Sequence, residues 1–167
     1  MTARRAVVAA VTGILLALAT LMLPSPASAA PKSPDPRYAV VASWTASTGD
    51  TVYLRQGSWN GTNGWGYAKV TAYHNLNEAA VRATTLYPKV VRELGPTTRR
   101  FETPVQHVSC RGKWIFRSCK VTETVTVMVA VDFRRFKQGG GSFGVVTAFC
   151  DGYTPKCPDW VKDAVNI

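Results

Sequence analysis

KVTETVTVMVAVDF, residues 120–133, is the stretch that decides the fold class. Val121, Val125, Val127, Val129 and Val131 share one parity, and Thr124, Thr126, Met128 and Ala130 share the other. Strict alternation with β-branched residues predicts a half-buried strand. Upstream, RRFETPVQHVSC (99–110) is a second candidate strand, and CRGKWIFRSC (110–119) between the two reads as a hairpin tip. Downstream, the glycine-rich turn KQGGGS leads into a third candidate, SFGVVTAFC (142–150). Together these make an antiparallel meander.

Before the meander, HNLNEAAVRATTLYPKVVRELGP (74–96) carries helical signals. Asn75 is an N-cap candidate with Glu78 three residues on. Leu76, Ala80, Ala83, Tyr87, Val90 and Leu94 fall at helical spacing, and Gly95-Pro96 is a stop signal. Pro88 lies inside the pattern and predicts a kink or split near Thr84–Tyr87. Strand character also appears in YAVVASW (38–44) and TVYLRQGSW (51–59), the latter ending at the turn NGTNG. CPDWVKDAVNI (157–167) predicts a short terminal helix with Pro158 in its first turn. No internal repeat is visible. The expected fold is α+β: an N-terminal strand and loop region and one main helix, packed on a disulfide-braced antiparallel meander.

The first residues read differently. MTARRA is basic, residues 7–23 are almost continuously apolar, and PSPASAA supplies an A-x-A cleavage site at Ala27-Ser28-Ala29. This is the layout of a secretory signal peptide over residues 1–29. A proline-rich lead-in follows at 30–37, then a single globular domain at 38–167. The mature chain is expected to be secreted, with no membrane span. Of 20 Lys and Arg, Arg4 and Arg5 leave with the signal; the remaining 18 against 10 Asp and Glu give +8. Such charge attracts nucleic acid, anionic wall polymers or acidic lipid surfaces without choosing among them.

All four cysteines, Cys110, Cys119, Cys150 and Cys157, fall in the mature part. An even count in an exported chain points to disulfides, and three pairings exist. Cys110–Cys119 and Cys150–Cys157 are favoured because each closes a short loop containing turn residues. Each bridge would contribute roughly 2–4 kcal/mol. The spacings do not match the short ligand pairs of zinc sites, and no metal or cofactor is expected.

The chain has two histidines, and His74 closes the densest stretch, GWGYAKVTAYH (64–74). Gly64 and Gly66 lack the third glycine of a dinucleotide loop, since position 69 is lysine. In an extended backbone, Lys69 and His74 would point to opposite faces; a turn between them would bring them together. An imidazole exchanges protons near neutral pH, and an ammonium stabilises charge on a phosphate. Those parts suit cleavage of a phosphodiester by an internal 2′-hydroxyl, which RNA has and DNA lacks. By residue type alone, packing or capping near the helix start is the commoner role for His74. His107 reads either as an ordinary strand histidine or as a second acid–base partner. Thr147 matters only if its strand passes His74. Arg99, Arg100, Arg134 and Arg135 lie beside phenylalanines, as solvated strand ends or as contacts to RNA phosphates.

Gly64-Trp65-Gly66-Tyr67-Ala68-Lys69-Val70-Thr71-Ala72-Tyr73-His74, followed by a helix, a meander and Val145-Val146-Thr147-Ala148-Phe149, resembles the endoribonuclease toxins of the barnase–EndoU–colicin–RelE group. The likeness spans roughly residues 60–150 and would make this a secreted stand-alone form. It implies proton transfer by His74, transition-state stabilisation by Lys69 and phosphate orientation by Thr147. It also implies an RNA substrate, a 2′,3′-cyclic phosphate product and an immunity or inhibitor protein as partner. His107 matches no motif of the group. Cys150 stands where the pattern often has proline, and two disulfides are not a general feature of the group. The competing class is a non-catalytic secreted binding protein for wall polymer or another protein, using Trp44, Trp59, Trp65, Trp114 and Trp160 as a face. A protease inhibitor presenting RGKWIFRS is one form of it.

Overall fold

The computed structural model describes residues 35–138 and 140–164. The expected signal peptide (1–29), lead-in residues 30–34, Gly139 of the glycine turn and the end of the terminal helix (165–167) lie outside the described residues.

The valine run forms β7 (Ser118–Arg135), paired antiparallel with β6 (Thr98–Arg111) and β8 (Ser142–Cys150). With β5 (Val90–Glu93) the order is β5-β6-β7-β8, the expected meander. Phe101, Val129 and Ala148 stand opposite one another and are buried. Side chains alternate across a pleated sheet, so Val105, Val125, Val127 and Val131 share their face. The other face carries Glu102, Met128 and Phe149 in one row and Arg100, Ala130 and Thr147 in the next.

Helices and a hairpin cover the valine face. β1 (Val40–Thr45) and β2 (Thr51–Arg55) form a separate antiparallel pair. β3 (Ser58–Trp59) and β4 (Gly64–Trp65) close the NGTNG turn, where Asn60 Oδ1 accepts from the N–H groups of Thr62 and Asn63. The helices are α1 (Gly66–Ala72), α2 (Glu78–Leu86) and α3 (Asp159–Ala164). Val52, Leu54, Val70, Ala80, Val81 and Val161 join the sheet valines in one buried cluster. Both cysteine pairs are disulfides, Cys110–Cys119 at the β6–β7 hairpin end and Cys150–Cys157 between β8 and the segment before α3. The fold is therefore a disulfide-braced α+β arrangement.

The expected long helix is corrected at both ends. Its N-cap is Asn77, whose Oδ1 accepts from the Ala80 N–H, and not Asn75. Asn75 adopts a left-handed φ of 58° and instead ties the chain to α3, donating to the Cys157 carbonyl and the Asp159 carboxylate. The helix breaks within the Thr84–Tyr87 stretch where Pro88 predicts a kink or split, but it ends at Leu86 and does not resume. A residue preceding proline avoids the helical region, and Pro88 supplies no donor, so the chain leaves the helix at Tyr87. Val90–Glu93 then pairs with Arg99–Glu102 as β5. Ladder bonds and β-branched Val90 and Val91 outweigh the apparent helical stripe, whose last members Tyr87 and Leu94 are exposed.

One buried cation joins these parts. Arg55, the last residue of β2, is fully buried. Its Nε donates to the Phe143 carbonyl (3.1 Å), Nη1 to Tyr38 (2.9 Å) and Nη2 to Gly140 (2.6 Å) and Ser142 (2.9 Å). The guanidinium also lies 5.2 Å from the Tyr53 ring centroid and 4.9 Å from that of Phe136. Burial lowers its pKa, yet a guanidinium keeps its proton. Gly144 lets β2 come this close to β8: a Cβ there would stand 2.0 Å from the Tyr53 carbonyl oxygen. Arg55→Met fills the volume but strands the carbonyls. It is expected to cost about 3–5 kcal/mol, read as a lowered urea midpoint.

Candidate functional site

The GWG triplet is a packed turn. Gly66 has φ +70°, and a Cβ there would meet the Arg55 carbonyl oxygen at 2.7 Å; one on Gly64 would meet that of Ser58 at 2.0 Å. The extended reading of 65–74 gives way to helix α1, which packs along β8 with Val70 in the core. On this short helix Lys69 and Tyr73 are four residues apart and share a face. His74 follows directly, its N–H close to the Lys69 carbonyl at 3.4 Å.

The rings here run in sequence. Trp59 and Tyr73 have centroids 4.4 Å apart, Tyr73 and His74 4.7 Å, and His74 and Phe149 6.0 Å. The Lys69 ammonium is 5.9 Å from the Trp59 ring centroid. The His74 backbone carbonyl accepts from the Cys157 N–H, and its Nδ1 lies 3.1 Å from the Pro155 carbonyl oxygen. The Cys150–Cys157 loop thus fixes the histidine by main chain and side chain. A carbonyl oxygen only accepts, so Nδ1 carries the proton and the neutral ring presents its lone pair on Nε2. Nε2 has no hydrogen-bond partner among the described residues. Burial lowers the His74 pKa below 6.5; the Pro155 contact opposes this, and the nearby Lys69 charge adds to it.

Thr147 stands opposite Ala130 on β8 and shares a face with Phe149, about 7 Å along the strand. Its Oγ1 is the one buried side-chain oxygen or nitrogen without a hydrogen-bond partner among the described residues. The structure therefore brings Lys69 beside His74, and links His74 to the Thr147 face through Phe149. The hydroxyl is shielded, so a phosphate would reach it only after neighbouring side chains moved. A cavity of about 590 Å³ along α2, lined by Tyr67, Asn77, Glu78 and Arg82, includes none of these three residues.

His107 is not brought to this place. It shares the parity of Val105 on the valine side of β6, stands opposite Glu123 and stacks on Trp160 at 4.8 Å and 11°. Glu123 in turn accepts from Trp160 Nε1 (3.2 Å) and from the Tyr153 hydroxyl. Strand parity also separates the adjacent arginines. Arg99 turns toward Asp50 and Glu93, and Arg100 toward Glu102. Arg134 pairs with Asp132 at 3.0 Å and lies 4.6 Å from the Phe143 ring centroid, while Arg135 is exposed.

The face shared by Thr147 and Phe149 holds a group that the sequence did not single out. Glu102 accepts from Arg92 Nε (2.8 Å) and Arg100 Nε (2.9 Å). Burial alone would raise its pKa, but the two arginines hold the carboxyl below the ordinary value. The i, i+2 spacing of Arg100 and Glu102 is the one signal that the sequence offers, because Arg92 falls inside the expected helix. Among the described residues, no three His, Cys, Asp or Glu side chains gather as a metal-binding group. No helix among them is long and apolar enough to cross a membrane. Comparison of the chain with models of protein families, curated proteins and solved structures gave no match.

An NMR titration tests the electrostatics. The His74 midpoint is expected below 6.5, and Lys69→Met should move it upward. The neutral ring is the native form, so stability from this group is complete above the unfolded value of about 6.5. It is lost as pH falls through that value toward the lower folded one. A midpoint at or above 6.5 would refute the burial of the ring.

Proposed function

We propose that this protein is a secreted endoribonuclease that cleaves RNA through attack of the 2′-hydroxyl on the adjacent phosphate. One observation carries the reading. His74 has Nδ1 tied to the Pro155 carbonyl, its Nε2 unpartnered among the described residues, and a pKa lowered by burial and, to a smaller extent, by the Lys69 charge. That is the equipment of a general base that remains neutral below the usual imidazole range. Nε2 takes the proton of the 2′-hydroxyl as its oxygen bonds to phosphorus. The bond to the 5′-oxygen breaks, and that oxygen takes a proton from water. The Lys69 ammonium offsets charge on the phosphate oxygens in the transition state. Trp59, Tyr73 and Phe149 offer rings against which bases can stack. The products are a 2′,3′-cyclic phosphate and a free 5′-hydroxyl, and no metal enters the balance.

Thr147 supports the reading in a narrower way. A buried hydroxyl without a partner costs about 1–3 kcal/mol, and a phosphate oxygen would supply the missing bond. Arg92 and Arg100 lie on the same sheet face, but both are engaged by Glu102 and add little to the reading. His107 has no part in this scheme. An immunity or inhibitor protein covering the His74 edge is the partner that the toxin resemblance implies.

Labelled single-stranded RNA incubated with the purified chain in EDTA should be cut, leaving cyclic phosphate ends. His74→Ala should lower the rate by about 10²–10⁴. Intact RNA across a pH series would end the enzyme reading and leave an exported basic binding protein. Cleavage unchanged in His74→Ala would remove His74 from the mechanism. The acid limb of the rate profile should lie below 6.5 and rise in Lys69→Met, matching the titration.

A further inference from the structure

The far end of the β6–β7 hairpin has no role in the site above. β5 pairs only with residues 99–102 of β6, and β8 pairs with β7 only from Val127 onward. Beyond Val105 and Val125 the ladder is therefore a two-stranded ribbon, closed by the Cys110–Cys119 disulfide. Seven residues of β6, 105–111, span about 23 Å. The ribbon's base is braced by Trp160 of α3 against His107 and Glu123. Its end is a single 3-10 turn, Trp114–Phe116.

That turn holds the most exposed large apolar side chains among the described residues: Trp114 at 93%, Ile115 at 86% and Phe116 at 81%. Three large apolar residues in a row at a projecting tip form the kind of exposed patch that marks an interaction site. Around them stand Arg111, Lys113, Arg117 and Lys120, all exposed and none in an ion pair among the described residues. No acidic residue occurs between Glu102 and Glu123.

The turn is also pre-set. Trp114 sits at φ 53°, an unfavourable region for a bulky side chain. Gly112, at φ +87°, passes so close to the Phe116 carbonyl that a Cβ there would be 2.2 Å from its oxygen. The Phe116 N–H bonds to the Lys113 carbonyl and the Arg117 N–H to the Trp114 carbonyl. The disulfide and these bonds hold an arrangement that a free chain would seldom adopt, and binding then loses little entropy.

We propose that this tip docks on a lipid bilayer bearing anionic headgroups. Two features favour a membrane over a protein groove. First, an apolar knob ringed by cations alone matches a surface whose interior is apolar and whose rim is anionic on every side. Tryptophan and basic side chains settle at that boundary. Two N–H groups of the turn, those of Phe116 and Arg117, are already paired with carbonyls of the turn, which lowers the cost of approaching an apolar medium. Second, the segment is a tight turn rather than an extended strand, so it cannot add to a protease cleft by backbone pairing. The inference does not depend on the ribonuclease reading.

Vesicle co-sedimentation tests it, comparing equimolar phosphatidylglycerol and phosphatidylcholine with phosphatidylcholine alone. The chain should bind the mixed vesicles, and weaken by roughly fivefold for each tip cation replaced by glutamine. Added salt should weaken it further. The triple variant Trp114→Ser, Ile115→Ser, Phe116→Ser, with an identical N-terminus, should lose on the order of tenfold or more in affinity. These side chains are solvent-exposed, so its thermal midpoint should match the parent. Equal binding by the triple variant would overturn the proposal. So would tip-dependent self-association by light scattering, or tip-dependent inhibition of a serine protease, without vesicle binding.

Discussion

A guanidinium without a carboxylate holds this molecule together. Arg55 is fully buried, and its bonds reach the segment before β1, the turn after β7 and the first residues of β8. Its charge is met by four carbonyl dipoles and two aromatic faces. Carbonyl oxygens act only as acceptors, so this cation serves four of them as a shared donor. The cost of burying the charge is offset only while all those groups stay in place. Arg55 therefore specifies one relative placement of the β1–β2 hairpin and the meander, a specificity that apolar packing alone enforces less strictly.

The rest of the architecture follows from that placement. With β2 against the start of β8, the remaining edge of β8 receives α1. The helix can begin there because Gly66 passes closer to the Arg55 carbonyl than a side chain would allow. At its far end the Cys150–Cys157 loop receives His74 through two carbonyl contacts, one given and one accepted. The candidate site is thus held at both ends by main-chain constraints. Within it, burial and the Lys69 charge act in the same direction on the imidazole, toward the neutral form.

The positive charge of this chain is distributed in two distinct ways. On the body, several arginines are engaged: Arg99 with Asp50 and Glu93, Arg92 and Arg100 with Glu102, Arg134 with Asp132. Those charges order the sheet and are less available to a ligand. At the hairpin tip the cations have no acidic neighbours and surround exposed apolar side chains. Net charge alone does not distinguish these situations. The difference lies in whether a carboxylate lies within reach, from the facing strand (Glu93), the same strand (Asp132), a diagonal position (Glu102) or the β1–β2 turn (Asp50).

The sequence by itself determined the meander, both disulfides and the α+β class. Those features rest on alternation, turn residues and short loop closure, which are local. It misassigned Val90–Glu93, because a helical stripe and a β-branched run look alike until a partner strand is known. For the same reason Arg92 could not be seen beside Glu102. Strand parity, once the register was fixed, sent His107 to the valine face and divided Arg99 from Arg100. His74 and Lys69 were legible as residue types. Only the tertiary structure decided that a short helix brings them together and that the Pro155 carbonyl selects the ring nitrogen left free. These decisions depend on contacts between residues as many as 81 positions apart, and no local pattern encodes such a distance.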